Sequence, residues 1–319
     1  MLLGRAAACS TGRDRLGRLR ADAPRSSHSL MRHGILGPGG VGGLIATALG
    51  HGGEAVTLIV RPGTEQSYPP MLSLDSPFGA IRTPVAVAAR ATAPLDVLWI
   101  TVKATQLESA LGSIPEGAAI GTVVPLLNGI DHVARLRERF GAERVVPATI
   151  TVESERTAPG VIAHRSKFAR LSLAARGRDR LGPAVTILGD FGFECGWVDD
   201  EATLLWSKLV FLAPVALATS ANRSALGAVR SDPAKLARLE ACVREACAVA
   251  AAEGAAVDAA PVLARIHSLP EGTRSSMEKD VAAGKPLELD AIAGPVLRGA
   301  ARHGIRLSAT MELAAAVRS

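Results

Sequence analysis

The fold the sequence predicts is an α/β half with a mostly parallel, doubly wound sheet, followed by an all-α half. Three observations predict it. A short apolar run, Ile35-Leu36, leads into Gly37-Pro38-Gly39-Gly40-Val41-Gly42 and then into a helix-like segment at residues 44–49. Short β-rich runs then alternate with Gly, Pro or helix-like stretches, the rhythm of a parallel sheet. Beyond Asp199-Asp200 the period changes to long, Ala-rich stretches that are amphipathic at helical spacing.

Taken in order, the first turn is the most informative. Gly37 can make the tight turn, Gly39 leaves the backbone open to a pyrophosphate, and Gly42 lets the helix pack close to the strand. First-turn amides of that helix form an anion site. Strand, glycine turn and helix together are the context of a Rossmann-type dinucleotide fingerprint, with plain loop chemistry as the competing reading. The second β-run, 55–60, ends at Arg61, where an NAD-type site usually carries Asp or Glu for the ribose hydroxyls. An Arg suits a 2′-phosphate, so the expected cofactor is NADPH/NADP+; the bland alternative is a solvated charge at a strand end.

Residues 81–88, 97–102, 120–126 and 144–152 are the next β-runs of the parallel sheet. Runs 160–163 and 168–173 are expected as antiparallel additions, followed by a helix at 182–191 and a last strand at 194–198. Asp199-Asp200 is the expected boundary between an NADP-binding domain, 33–199, and a helical substrate and catalytic domain, 200–319. Helices are expected there at 201–221, 232–253 and 287–303, the second opened by Asp232 as cap with Pro233 at the first helical position.

Composition narrows the function classes. The chain has 319 residues, 48% of them apolar, enough for substantial cores and about two domains. Its net charge of +6 is concentrated in residues 1–32, which carry seven Arg against Asp14 and Asp22. The remaining body has little excess charge and few aromatics, so it offers no electrostatic case for nucleic acid. The leader lacks the apolar run of a secretory signal, although its Arg and Ser content is shared with organellar transit peptides. It is read as a disordered or misassigned extension, with Met31 as the natural start. The longest apolar run, 209–218, is interrupted by Pro214 and falls short of a bilayer span, so no membrane partner is expected. Cys9, Cys195, Cys242 and Cys247 have neither metal nor disulfide spacing, which points to a reducing cytoplasm and no metal.

Only six of the 36 basic residues are Lys, and two of those stand out. Lys103 follows the strand at 97–102, and residues just past the carboxyl end of a parallel strand face the ligand crevice. Asn128, in Leu127-Asn128-Gly129, holds the corresponding place after the next run, although Asn-Gly is also an ordinary turn. Lys208 sits between Leu204-Leu205-Trp206 and Leu209-Val210-Phe211, so its ammonium either snorkels to an edge or lines a polar cavity. Ser275-Ser276-Met277 and Asp280 precede Glu288-Leu289-Asp290 by about three turns. A hydroxyl and an acid from that region are expected to meet Lys208 in a cleft.

On these residues the chain resembles the ketopantoate reductases (2-dehydropantoate 2-reductases), NADPH-dependent enzymes that make pantoate for coenzyme A synthesis. The resemblance runs from about residue 33 onward. It rests on the glycine turn, Val102-Lys103-Ala104, Leu127-Asn128-Gly129, Trp206-Ser207-Lys208-Leu209, Ser275-Ser276-Met277 with Asp280, and Glu288-Leu289-Asp290 with Gly294. It implies that Lys208 is the general acid, with Glu288 beside it helping to hold substrate, and that Ser276 binds the substrate carboxylate. Lys103, Asn128 and Glu288 would lie where the nicotinamide end of the cofactor meets the substrate, Gly37, Pro38, Gly39, Gly40, Val41 and Gly42 would hold the dinucleotide, and Arg61 the 2′-phosphate.

One departure matters. Where the family commonly has an Asn one turn after the catalytic Lys, and another one turn further on, this chain has Leu212 and Ala216. Loss of those polar contacts leaves open reduction of a different 2-keto acid or a catalytically silent NADPH-binding regulator; Lys208 alone does not exclude a hydroxy-acid or polyol dehydrogenase of the same plan, and the Ser275-Ser276-Met277 to Glu288 spacing favours the reductase. An apolar neighbour also lowers the pKa of a Lys. A homodimer is left open.

Overall fold

The computed structural model describes residues 30–318. Most of the leader, with Cys9, therefore lies outside the described residues, and Arg32 already opens the first strand. The chain begins β1 (Arg32–Leu36), α1 (Gly40–His51), β2 (Ala55–Ile59), β3 (Met71–Ser76), β4 (Gly79–Pro84), β5 (Ala86–Ala88) and β6 (Leu95–Ile100). Next come α2 (Leu107–Leu111), β7 (Ile120–Pro125), α3 (His132–Phe140), β8 (Ala148–Thr151), β9 (Ser154–Ala158), β10 (Val161–His164), β11 (Arg170–Ala174), α4 (Arg178–Phe191) and β12 (Glu194–Val198). From there the chain is helical: α5 (Glu201–Ala221), α6 (Leu226–Arg230), α7 (Pro233–Ala252), α8 (Ala259–Ser268), α9 (Ser276–Ala282), α10 (Leu289–His303) and α11 (Ser308–Arg318).

The fold class is the one the sequence predicts. Five strands form a parallel sheet in the order β5-β2-β1-β6-β7. β1 and β6 are buried along nearly their whole length, as parallel strands covered on both faces must be. The strand order reverses at β1, between β2 and β6, which sets the crevice for a ligand at the carboxyl ends of these strands.

Several strands go elsewhere than expected. The run 81–88 is divided between two sheets, β4 in the second and β5 at the edge of the first. Pro84 ends β4, and Val85 turns back to donate its N–H to the Pro70 carbonyl. Within 144–152, Val145 makes only an isolated bridge to Val123, and the strand proper, β8, belongs to a third sheet. β10 and β11 are not antiparallel additions to the parallel sheet. β10 pairs parallel with β3 and antiparallel with β9, and β11 pairs antiparallel with β8 and parallel with β12. Short alternating runs announce a strand but not its partner, and that is what the sequence left unresolved. β3 and the shorter helices α6, α8, α9 and α11 escaped the sequence reading altogether.

α5 joins the two halves. Its Leu204 belongs to the core built from β1, α1 and α4, whereas Trp206 and the residues after it belong to the helical core with α7, α10 and α11. The helix has the length and apolarity of a membrane span, but 61% of that stretch is buried by the rest of the chain. Its start is fixed by Asp200, whose carboxylate accepts from the N–H groups of Ala202 at 3.3 Å and Thr203 at 2.9 Å. Capping of this kind satisfies donors the helix cannot. Asp200→Ala is therefore expected to lower the unfolding free energy by about 1 kcal/mol, and Asp199→Ala by much less, as measured by urea denaturation.

Candidate active site

Three strands of the parallel sheet deliver residues to the same end. β1 runs into the glycine turn, β6 is followed by Val102 and Lys103, and β7 by Leu126, Leu127 and Asn128. Gly37 has φ +87°, a value that strains any residue with a Cβ. A Cβ on Gly42 would come within 3.0 Å of Ile35 Cγ2 and still closer to Thr101 Oγ1, so glycine there lets α1 lie directly on the sheet. A Cβ on Gly39, in contrast, would meet nothing nearer than the Gly37 carbonyl at 4.0 Å. The backbone at Gly39 thus faces open space at the start of α1. Arg61 is exposed just past β2.

The helical half meets this edge along one chain of contacts. Lys208 Nζ, on α5, donates to Asn128 Oδ1 at 3.1 Å. Asn128 Nδ2 donates to Glu288 Oε2 at 3.3 Å, and the Ala104 N–H donates to Glu288 Oε1 at 2.9 Å. Glu288, at the start of α10, is only 6% exposed. Asn128 can come so close because Gly129 follows it: with φ +82°, Gly129 sits where a Cβ would overlap the Ala291 carbonyl in the first turn of α10. The structure thus brings Lys208, Asn128 and Glu288 together in the gap between the halves.

Burial pulls the Lys208 pKa down to about 8, and the attraction of Glu288 resists that fall. Leu212, one turn further along the same face of α5, is half-buried, and Ala216 is fully buried. No polar side chain on α5 replaces the water Lys208 loses from these two positions.

The acid of this region that comes to Lys208 is Glu288, through Asn128, and not Asp280. Asp280 pairs with Lys103 at 2.5 Å. α9 runs across the gap so that its acid reaches the loop after β6, leaving Lys208 to Asn128. Ser275 rather than Ser276 is tied down: Ser275 Oγ accepts the Glu278 N–H at 3.0 Å and lies 2.8 Å from Thr219 Oγ1 on α5. Ser276, the first residue of α9, is exposed beside it.

Two residues in this region were missed from sequence. His132, the first residue of α3, is 8% exposed, and its Nε2 has no hydrogen-bond partner. Burial, with the Lys208 charge adding to it, lowers its pKa to about 4. Its only signal in the sequence is its place four residues after Asn128. Arg265, on α8, lies 4.1 Å from the ring centre of Phe211, three residues after Lys208. No local pattern announces that contact, because α8 itself was not read.

Comparison with known proteins fits this geometry. A family model described as "Ketopantoate reductase PanE/ApbA" matches residues 33–176, and its C-terminal companion matches residues 202–319. A 2-dehydropantoate 2-reductase from Caulobacter vibrioides is 31% identical over 279 residues, 85% of this chain and 92% of that protein. Among solved structures, a PanE/ApbA family ketopantoate reductase from Ralstonia eutropha JMP134 has a TM-score of 0.78 and 25% identity, covering 90% of this chain and 97% of its own. D-mandelate dehydrogenase, solved with NADH and anilino(oxo)acetate, has the same TM-score at 19% identity over 90% of this chain and 97% of its own, a likeness of fold alone. The chain belongs to the ketopantoate reductase family of oxidoreductases.

Proposed function

We propose that this chain reduces 2-dehydropantoate, a small 2-keto acid, to pantoate with NADPH. The observation that carries the reading is Lys208 Nζ, enclosed in the gap between the halves and held against Asn128, with Glu288 behind that amide. The residues present fit a dinucleotide. The open backbone at Gly39 and the first-turn amides of α1 suit a pyrophosphate, with Gly37, Pro38, Gly40, Val41 and Gly42 shaping the turn and Arg61 available to a 2′-phosphate. When bound, the reduced nicotinamide supplies the hydride.

The protein's part is electrostatic and protic. Reduction of a ketone turns its oxygen into an alkoxide, and an ammonium beside it both stabilises the charge and delivers a proton. Lys208 has that role, Asn128 holds its Nζ at the mouth of the sheet, and Glu288 keeps it charged. Lys103 and Asp280 close the loop after β6 over the same gap, and Ser276 is assigned to the substrate carboxylate. A second reading, a 2-keto acid with a different and more apolar side chain, is favoured by Leu212 and Ala216 beside Lys208.

NADPH oxidation with a panel of 2-keto acids tests the reading. Lys208→Ala is expected to cut turnover by about 10²–10⁴ while NADPH still binds; native protein that binds NADPH but consumes no keto acid would instead support a silent regulator. Because Lys208 must be protonated to act, kcat/KM for reduction should fall as pH rises through about 8, the Lys208 value. In Glu288→Gln the attraction that holds this value up is removed, so the fall should move to lower pH. Arg61→Ala should weaken NADPH much more than NADH; an equal effect on both removes the phosphate role.

A further inference from the structure

The Lys208 ammonium has three N–H donors, and the protein engages one of them. Nζ donates to Asn128 Oδ1 at 3.1 Å and, among the described residues, makes no other hydrogen bond. A substrate's ketone oxygen would take a second donor. The third is left in a place where burial already opposes the charge.

The neighbour able to serve it is on α3. Two contacts bracket that helix against α5: Asn128, ahead of α3, reaches Lys208, and Arg137, within α3, pairs with Glu201 at 2.5 Å. Glu201 and Lys208 lie two turns apart on one face of α5, so α3 and the loop before it run beside that face. Ile130 packs into the helical core and Asp131 pairs with Arg298 of α10, which keeps the loop against the helical half. His132 falls between the two anchors, 8% exposed, with an Nε2 that has no hydrogen-bond partner among the described residues. Burial, reinforced by the Lys208 charge, keeps the ring neutral. A neutral imidazole has a lone pair on one nitrogen, so a surplus acceptor lies beside a surplus donor.

We infer that His132 is a positioning residue for Lys208: with its own proton on Nδ1, it holds through Nε2 one ordered water that accepts the third Nζ–H. That water accepts from Lys208 and donates to His132, two polar partners in a buried place. An ammonium held at Asn128 alone can turn about that bond. Held at two points, it keeps its remaining N–H aimed at the ketone oxygen, and the added acceptor favours its charged form. The other charged groups at this gap are Glu288 from α10 and the Lys103–Asp280 pair from the loop after β6 and from α9; Glu201, on α5 itself, is taken by Arg137 and Arg176. This inference rests on the proposed part of Lys208 in reduction.

The test follows the alkaline fall of kcat/KM for keto-acid reduction by NADPH in His132→Phe, His132→Leu and His132→Gln. Phe and Leu remove the acceptor, and the fall is expected about one unit lower in pH than in native protein, with NADPH affinity within about twofold. Gln keeps an acceptor on a side chain of similar reach, and the fall should return close to its native position. A residue that only fills space would alter stability and rate in all three variants with the fall unmoved. That result, or an equal displacement in Gln, overturns the inference while the reductase reading stands. Because the chain has six Lys, NMR of ε-13C-labelled lysine, with the Lys208 signal assigned by its loss in Lys208→Ala, reads the same displacement without turnover. Native protein that reduces no keto acid overturns the reductase reading, and the Lys208 titration then decides by itself whether His132 acts on the ammonium.

Discussion

The arrangement of the candidate site depends on one buried carboxylate, that of Glu288, which bridges the two halves of the chain. It is nearly fully buried, so its charge needs partners that water cannot provide. Both of its hydrogen-bond donors, the Ala104 N–H and the Asn128 amide, come from loops that follow strands of the parallel sheet, whereas the carboxylate comes from the helical half. The same charge helps Lys208 stay protonated where burial opposes it. Removing any one of these groups leaves another stranded, which makes the chain of contacts a constraint on the whole arrangement rather than a local ornament.

The supports around that chain act on the same gap. At the root of α5, Glu201 is clamped by Arg137 from α3 and by Arg176 ahead of α4, which fixes where the helix leaves the sheet. From past the middle of α10, Arg298 reaches Asp131 in the turn beyond Asn128 and also holds Asp290, in the helix's first turn, at 2.8 Å. Across the opening, Lys279 of α9 pairs with Glu153 at 3.0 Å. The exposed pairs contribute little stability singly. Their use is positional: each ties a helix that carries a site residue to the loop it must face.

Much of this was legible in the sequence because it depends on local rules. Ile35-Leu36 before the glycine turn and Asp232 before Pro233 are strand, cap and helix signals that act within a few residues. Lys103 and Asn128 were readable because the carboxyl ends of parallel strands share a crevice by topology. What could not be read is what distant pairing decides. Nothing near Val161 or Arg170 says which strand it will join, and nothing near Asp280 says that its partner is Lys103 rather than Lys208. Gly129 looked like an ordinary turn residue; only its contact with α10 shows that a side chain there would hold Asn128 away from Glu288.

Two titratable groups beside Asn128 could in principle give up a proton, and their surroundings separate them. His132 is buried with no acceptor or carboxylate on its Nε2, and its pKa of about 4 leaves it neutral at neutral pH. Lys208 is buried as well but starts from a much higher value and has Glu288 in reach, so at about 8 it keeps its proton at the same pH. Of the pair, only the lysine has both a charge to meet a developing alkoxide and a proton to transfer to it. Adding a carboxylate to His132 would blur that division, and filling the Leu212 position with a polar group would raise the lysine and weaken it as an acid. Burial and the Glu288 charge thus act in opposition to keep the proposed donor near the pH at which it must work, while the imidazole beside it stays neutral and adds no competing charge.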